Sequence, residues 1–294
     1  MGERDTFLQG VGLRLLAAFL MTAMSAAVHG AAQSVPIGQI MFWRSVLALV
    51  PICLYMIWRR EFPKTLKSKR PMLHVTRSIF GAFSMAMSFI SLAYLPVANA
   101  QALAYLEPVL VLPLAAILLK ERISKPIYIA IVLGFAGVIL LLWESLAALE
   151  DNAIIGVCAG LAYAFTMAFV RVHTKTMTLT ESASAIAFYF AVVAAVIGLT
   201  TLPFGWVTLN WTLFGWLALA GFIGGIGHIV ANEATARAPV SALAPFDFTG
   251  LVWALGFDLV LFSILPSGIG FMGVFAITAA ALIVTFAGRT ATKA

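Results

Sequence analysis

The chain has 294 residues, of which 62% are hydrophobic and 10% charged, with a formal net charge of +6. A soluble domain carries roughly a quarter charged residues, so a water-soluble fold is excluded and lipid must solvate most of the surface. Nor does the positive charge point to nucleic acid, because Lys and Arg cluster beside apolar segments, as membrane orientation requires.

A spanning helix needs about 20 residues at ~1.5 Å rise each. In chain order the segments that fit are 9–30, 36–58, 73–94, 97–119, 126–144, 152–173, 182–203, 211–233, 239–264 and 267–287. The first is expected to be a retained helix, since no small-residue cleavage site follows it. Pro36, Pro126 and Pro239 stand near helix starts, where a missing N–H costs little. Short connections at Leu95-Pro96 and Leu265-Pro266-Ser267 predict antiparallel neighbours. Cys53 and Cys158 both lie in apolar runs and are expected to pack as small residues, with no disulfide or metal role.

Positive charge falls on every second loop. Arg4 and Arg14 flank the first segment, and the loop near Gly30 is bare. Arg59, Arg60, Lys64, Lys67, Lys69, Arg70 and Arg77 follow the second segment, and the next loop is bare. Lys120, Arg122 and Lys125, then Arg171 and Lys175, then Arg237, then Arg289 and Lys293 continue the alternation. This pattern predicts ten spans with both termini cytoplasmic. By this count Arg44 is the one cation that orientation does not explain. Trp58, Tyr94, Trp143 and Trp211 fall near predicted helix ends, as interfacial aromatics do.

The halves also resemble each other. At an offset of 144, Gly12 meets Gly156, Thr22 meets Thr166, and Val28-His29 meets Val172-His173. At 143, Gly81 meets Gly224 and Pro96-Val97 meets Pro239-Val240. Five helices per half is an odd number, so the second half must enter from the opposite side. The expected fold is an all-α membrane protein of ten transmembrane helices, built as two inverted five-helix repeats, 1–148 and 149–294. Secondary transporters use such inverted repeats to alternate access around a midplane site.

Phe42-Trp43-Arg44-Ser45, Leu95-Pro96-Val97-Ala98-Asn99-Ala100, Glu107-Pro108-Val109, Leu118-Leu119-Lys120-Glu121-Arg122 and Gly134-Phe135-Ala136-Gly137-Val138 together resemble an EamA-type repeat. Such repeats define the drug/metabolite transporter superfamily. The second half departs from the motif, with Leu251 at the place of its proline and Ile264 at that of its glutamate. The resemblance implies a polytopic carrier of small metabolites in the bacterial inner membrane. It further implies export of amino acids, aromatic ones among them, with S-adenosylmethionine or nucleotide-type metabolites as the alternative cargo. It implies a cavity lined by the first, third, fourth, sixth, eighth and ninth helices, and no cofactor.

Ionisable residues inside a membrane cost several kcal/mol and are the first place to look for a site. Arg44 and Glu107 lie at similar depths, about 12 and 15 Å in, which predicts either a salt bridge between them or a substrate-facing carboxylate at Glu107. Asp247 lies between Pro245 and Gly250, both helix-weakening, and is expected either at a substrate site or paired with His228 or Arg237. Asp258 is expected near the outer face, in contact with solvent. Glu121 is expected to play an interfacial structural part. Helical spacing places Ser84, Ser88 and Ser91 on one face of the third helix, and Gln101, Tyr105 and Pro108 on one face of the fourth. It places Tyr163 and Thr166 together on the sixth, and Thr22, Ser25 and His29 on the first. Ser84, Ser88, Gln101, Tyr105, Tyr163, His228 and Phe248 are therefore the candidate substrate contacts, with Arg44, Glu107 and Asp247 as the charged intramembrane candidates. Gly221, Gly224, Gly225 and Gly227 allow either close helix packing or a hinge.

An embedded enzyme would need a nucleophile with a base, or a metal cluster. His29, His74, His173 and His228 belong to different segments, and no Gly-x-Ser-x-Gly elbow occurs. A channel would need a filter, and none is legible. The expected partners are the lipid bilayer and a small-molecule substrate; the oligomeric state stays open.

Overall fold

A computed structural model describes residues 3–68, 70–104, 106–107, 110, 129, 132–134, 136–137, 139–140, 143, 151–238, 243, 246–247, 249–264 and 268–291. Tyr105, Pro108, Glu121, Pro126, Pro239, Pro245 and Phe248 lie outside the described residues, as does most of the expected fifth span. Among the described residues the helices are α1 (Glu3–Ala32), α2 (Ile37–Trp58), α3 (Pro71–Tyr94) and α4 (Val97–Ala104), then α5 (Asp151–Met177), α6 (Ala183–Leu199), α7 (Trp211–Arg237), α8 (Thr249–Phe262) and α9 (Gly268–Ala291). Of these, α1, α2, α3, α5 and α7 are long and apolar enough to cross a bilayer.

Local chemistry explains where helices begin. Pro71 opens α3 at a position whose N–H would be unsatisfied anyway. The Ser182 hydroxyl accepts from the Ala185 N–H at 3.1 Å and caps α6, and Asn210 accepts from the Leu213 N–H at 2.8 Å and caps α7. Facing outward are Leu54, Phe165, Phe222, Val252 and Phe275, an apolar surface suited to lipid tails rather than water. Trp58 and Trp211, 76% and 89% exposed, stand at helix ends as interfacial aromatics do. Cys158 is exposed on this outer surface, while Cys53 is partly covered.

Inside, helices approach on small residues. A methyl group on Gly225 would lie 2.6 Å from the Ala48 carbonyl oxygen, and one on Gly221 would lie 2.8 Å from that of Arg44. The α2–α7 crossing is therefore backbone against backbone, and these glycines are packing residues. Gly198 brings α6 equally close to α2, against the Phe42 N–H and the Gly38 carbonyl. Helix α1 packs on α7 and α8, α3 on α5 and α6, α2 on α6 and α7, and α4 on α5 and α8.

The two ends of the bundle differ. The 59–70 loop docks at one end, where Ser68 donates to Glu181 at 3.0 Å and His74 Nε2 lies 3.3 Å from Glu181. At the other end Gln39 holds Val207 through both its amide groups, at 2.8 and 2.9 Å. There, too, Gln33 donates to the Ala93 carbonyl at 3.2 Å. Among the described residues, the cation-bearing 59–70 loop thus meets Glu181 at one end, and the segments around Gln33 and Val207 lie at the other.

Asp258 departs from expectation. It is 1% exposed and accepts from the Val97 and Ala98 N–H groups at 3.1 and 2.6 Å. A carboxylate at the N-terminus of α4 satisfies orphan donors and opposes the positive end of the helix dipole. It is buried because α8 packs on α4, so it does not meet solvent as expected.

Candidate functional site

Two adjoining cavities run through the middle of the bundle, about 160 and 100 Å³ in volume. They share Met21, Gln101, Ala104, Tyr163, Met167 and His228. The larger extends toward the cation-rich end, where Arg14, Thr174 and Thr235 line it. The smaller extends toward the other end, past Ser25, Ser88 and Leu92. Both halves of the chain contribute wall residues, an arrangement suited to a small ligand.

An ion cluster lines the larger cavity. Arg14 on α1 grips Asp247 through Nε and Nη2, the latter 2.7 Å from Oδ2. Arg171 on α5 donates from Nη1 to Asp247 at 3.0 Å and forms an ion pair with Glu107, with Nη2 3.3 Å from Oε2. Two cations thus meet two carboxylates, and four stretches of chain are tied at one level. Paired, hydrogen-bonded charges are tolerable in a low-dielectric interior, whereas isolated ones are not.

The expected Arg44–Glu107 bridge is not formed. Matching depth was not enough, because α2 turns Arg44 toward α1 and α3 while Glu107 meets α5. Asp247 takes Arg14 and Arg171 as its cationic partners, and Arg237 pairs instead with Glu233 on its own helix. Arg14, Arg77 and Arg171, counted from sequence as flanking charges, are interior residues. Arg14 stands well inside α1, and Arg171 shares a face of α5 with Tyr163, Met167 and Thr174. That helical spacing was the signal available for them.

Arg44 lines the smaller cavity and Arg77 the larger, close to where the two adjoin. They are 1% and 4% exposed. Arg44 points Nη1 at the Met85 sulfur, 3.5 Å away, and Nη2 at the Met24 sulfur, 3.1 Å away. Thioethers are weak acceptors, and the Arg44 Nε has no partner among the described residues. Arg77 lies over the Phe190 ring with its guanidinium carbon 4.2 Å from the centroid, a cation–π contact. Its Nε and Nη1 are unpartnered among the described residues. The Arg44 guanidinium carbon sits 6.0 Å from the same ring. A methyl on Gly224 would come within 3.0 Å of Arg44 Nη2, and one on Gly81 within 3.0 Å of Arg77 Nη1. These two glycines make the room that the guanidinium groups occupy.

Of the residues singled out by spacing, Ser84, Ser88, Gln101, Tyr163 and His228 all line a cavity. The Ser84 and Thr166 hydroxyls lie 2.7 Å apart, joining α3 to α5. His228 meets the Phe190 ring edge-on at 5.1 Å. Ser25 lines the smaller cavity, but its neighbours on α1 serve the fold. Thr22 bonds the Ala18 carbonyl at 2.8 Å, and His29 Nδ1 lies 2.6 Å from the Leu92 carbonyl oxygen. Phe190 and Asn232 also line the cavities. Sequence reasoning missed both, because an aromatic or an amide in an apolar helix carries no distinguishing spacing.

Residues 8–143 match the EamA-like transporter family. The pseudopaline exporter of Pseudomonas aeruginosa (strain UCBPP-PA14) is 26% identical over 279 residues, covering 92% of this chain and 93% of that protein. The S-adenosylmethionine uptake transporter of Rickettsia felis is 25% identical over 289 residues, covering 97% and 95%. A solved crystal structure superposes with TM-score 0.71 at 20% identity, covering 98% of this chain and 99% of that one, and supports the fold alone. These relatives are metabolite transporters rather than aromatic amino-acid exporters, which narrows what the resemblance supports to the transporter class.

Proposed function

We propose, from the match of residues 8–143 to the EamA-like transporter family, that this chain is an alternating-access carrier of amino acids or amino-acid-derived metabolites. The observation that carries the reading is the charged cavity between the halves, walled by Met21 and Gln101 from one and Tyr163, Met167 and His228 from the other. Cargo there would bind by polar and aromatic contacts, and no covalent chemistry is required. The relatives' names include both an exporter and uptake transporters. We assign export of amino acids across a bacterial inner membrane as the working direction, with S-adenosylmethionine-type cargo the alternative.

The packing supports two inverted repeats, 1–148 and 149–294. Exchange α1 with α5, α2 with α6, α3 with α7 and α4 with α8. The α1–α7 contact becomes α5–α3, α2–α7 becomes α6–α3, and α1–α8 becomes α5–α4, while α2–α6 and α4–α8 map onto themselves. Each of these contacts is present. A pseudo-twofold relation lets one rocking motion close one end as it opens the other.

Cysteine accessibility tests this reading. In a chain with Cys53 and Cys158 replaced by Ala, single cysteines go in at Ala18 of the larger cavity and Ser88 of the smaller. Membrane-impermeant reagents should reach each from one side of the membrane, and cargo should shift the two rates in opposite directions. Rates that move together, or not at all, with every amino acid and S-adenosylmethionine would count against alternating access.

A further inference from the structure

We propose that Arg44 and Arg77 form an anion subsite that takes a carboxylate, or another compact oxyanion of the cargo, against the Phe190 ring. This rests on the carrier reading and names the chemical class of its cargo.

The cavity cations fall into two groups, one paired with carboxylates and one not. At the larger cavity, Arg14 and Arg171 are matched by Asp247 and Glu107. Where the two cavities adjoin, the buried guanidinium groups of Arg44, on the smaller, and Arg77, on the larger, share the Phe190 ring, and among the described residues neither has a carboxylate within ion-pairing distance. A cationic side chain inside a bilayer is costly, and more so when it has no counter-charge. Two methionine sulfurs and a ring face do not neutralise two charges. Arg44 Nε and Arg77 Nε and Nη1 are left without acceptors among the described residues. Guanidinium nitrogens present a planar fork suited to carboxylate or phosphate oxygens.

Packing does not demand these arginines. Advancing by the repeat offset of 143 puts Ala187 at the place of Arg44 and Ala220 at that of Arg77. Both alanines are buried in helices that pack normally. The other half of the molecule thus solves the same packing problem with methyl groups. Gly81 and Gly224 meanwhile leave the space that the charged groups fill. The smaller cavity beside them, walled by Met85, Phe89 and Leu92, suits an apolar portion of the same ligand, with Ser88 and Gln101 as polar contacts.

Thermal unfolding of the purified full-length protein tests the subsite. The probes are acetate, succinate, L-methionine and inorganic phosphate, with acetamide and L-methioninamide as uncharged-end controls, at ionic strength matched with chloride. The wild type should be stabilised by oxyanions and not by the amides. A response to the carboxylates or to phosphate alone identifies the source of the oxyanion. Arg44→Met and Arg77→Met should keep or raise the unliganded Tm, since each removes an unpaired buried charge. They should bind the active anion about tenfold or more weakly. Arg44→Lys, which keeps charge but not the fork, should fall between. No anion response in the wild type, or Met variants that respond like it, would overturn the subsite. Met variants that lose the fold without ligand would assign the arginines to structure and overturn it too. Counterflow in proteoliposomes separates the two ideas. An anion response without counterflow would sink the carrier and keep the subsite, whereas undiminished counterflow of the same carboxylate by both Met variants would sink the subsite alone.

Discussion

Arg14 on α1 and Asp247, 233 positions apart in sequence, hold one another through paired N–H···O contacts, with Nη2 2.7 Å from Oδ2. The same carboxylate accepts from Arg171 at 3.0 Å. One residue therefore ties the first helix to the sixth predicted span. Asp247→Asn should lower stability by about 3 kcal/mol, because it strips Arg14 of its carboxylate and leaves Arg171 with Glu107 alone. Arg14→Gln combined with Asp247→Asn should recover part of that loss. Denaturation midpoints of the four proteins in one detergent give the comparison, and additive losses would show that the pair is not coupled.

Glycine position decides the sign of a glycine-to-alanine change. Gly225→Ala forces a methyl group against the Ala48 carbonyl oxygen and should cost about 1–3 kcal/mol by overpacking the α2–α7 crossing. Gly12→Ala meets nothing within 4 Å and should stabilise α1 by about 0.5–1 kcal/mol. Tm measurements on the two variants should move in opposite directions.

Asp258 anchors α4 from α8. Asp258→Ala would leave the Val97 and Ala98 N–H groups buried without acceptors, at a cost of about 1–3 kcal/mol each. Asp258→Asn keeps an acceptor oxygen and should lose less. Backbone hydrogen exchange at Val97 and Ala98 should speed up in the Ala variant; unchanged exchange would show that the carboxylate does not hold this helix start.

Topology can be read with one labelling pair. In the cysteine-free chain, Lys64→Cys in the docked loop should label only from the cytoplasmic side, and Phe204→Cys only from the other. A tag at either terminus should be accessible from the same side as Lys64. Labelling of both cysteines from one side would contradict the orientation drawn from the charge pattern.

Helix positions were largely legible because bilayer thickness and loop charge are one-dimensional constraints. The expected 36–58 and 73–94 appear as Ile37–Trp58 and Pro71–Tyr94, and 211–233 runs on to Arg237. Charge partnerships were not legible in the same way. Arg14, Arg77 and Arg171 sit close enough to charged loops to read as orientation signals, yet each turns inward. Which carboxylate a cation meets depends on helix rotation and crossing, set by contacts such as Gly225 on Ala48 that no loop count records. Arg44 and Glu107 show the limit most clearly. Similar depth along two helices suggested a pairing, but the faces they occupy point them to different partners. Asp258 failed for a related reason: distance from a helix end says nothing of what packs over that end.

The central claim, carriage of a small amino-acid-type metabolite through the cavity between the halves, is most directly tested by counterflow. Purified protein in liposomes preloaded with one unlabelled amino acid or S-adenosylmethionine is given a trace of the same compound, radiolabelled, outside. A transient accumulation of label above equilibrium, saturable and absent from protein-free liposomes, is the predicted result. Passive equilibration without overshoot, or no entry of any compound across the panel, would contradict the account.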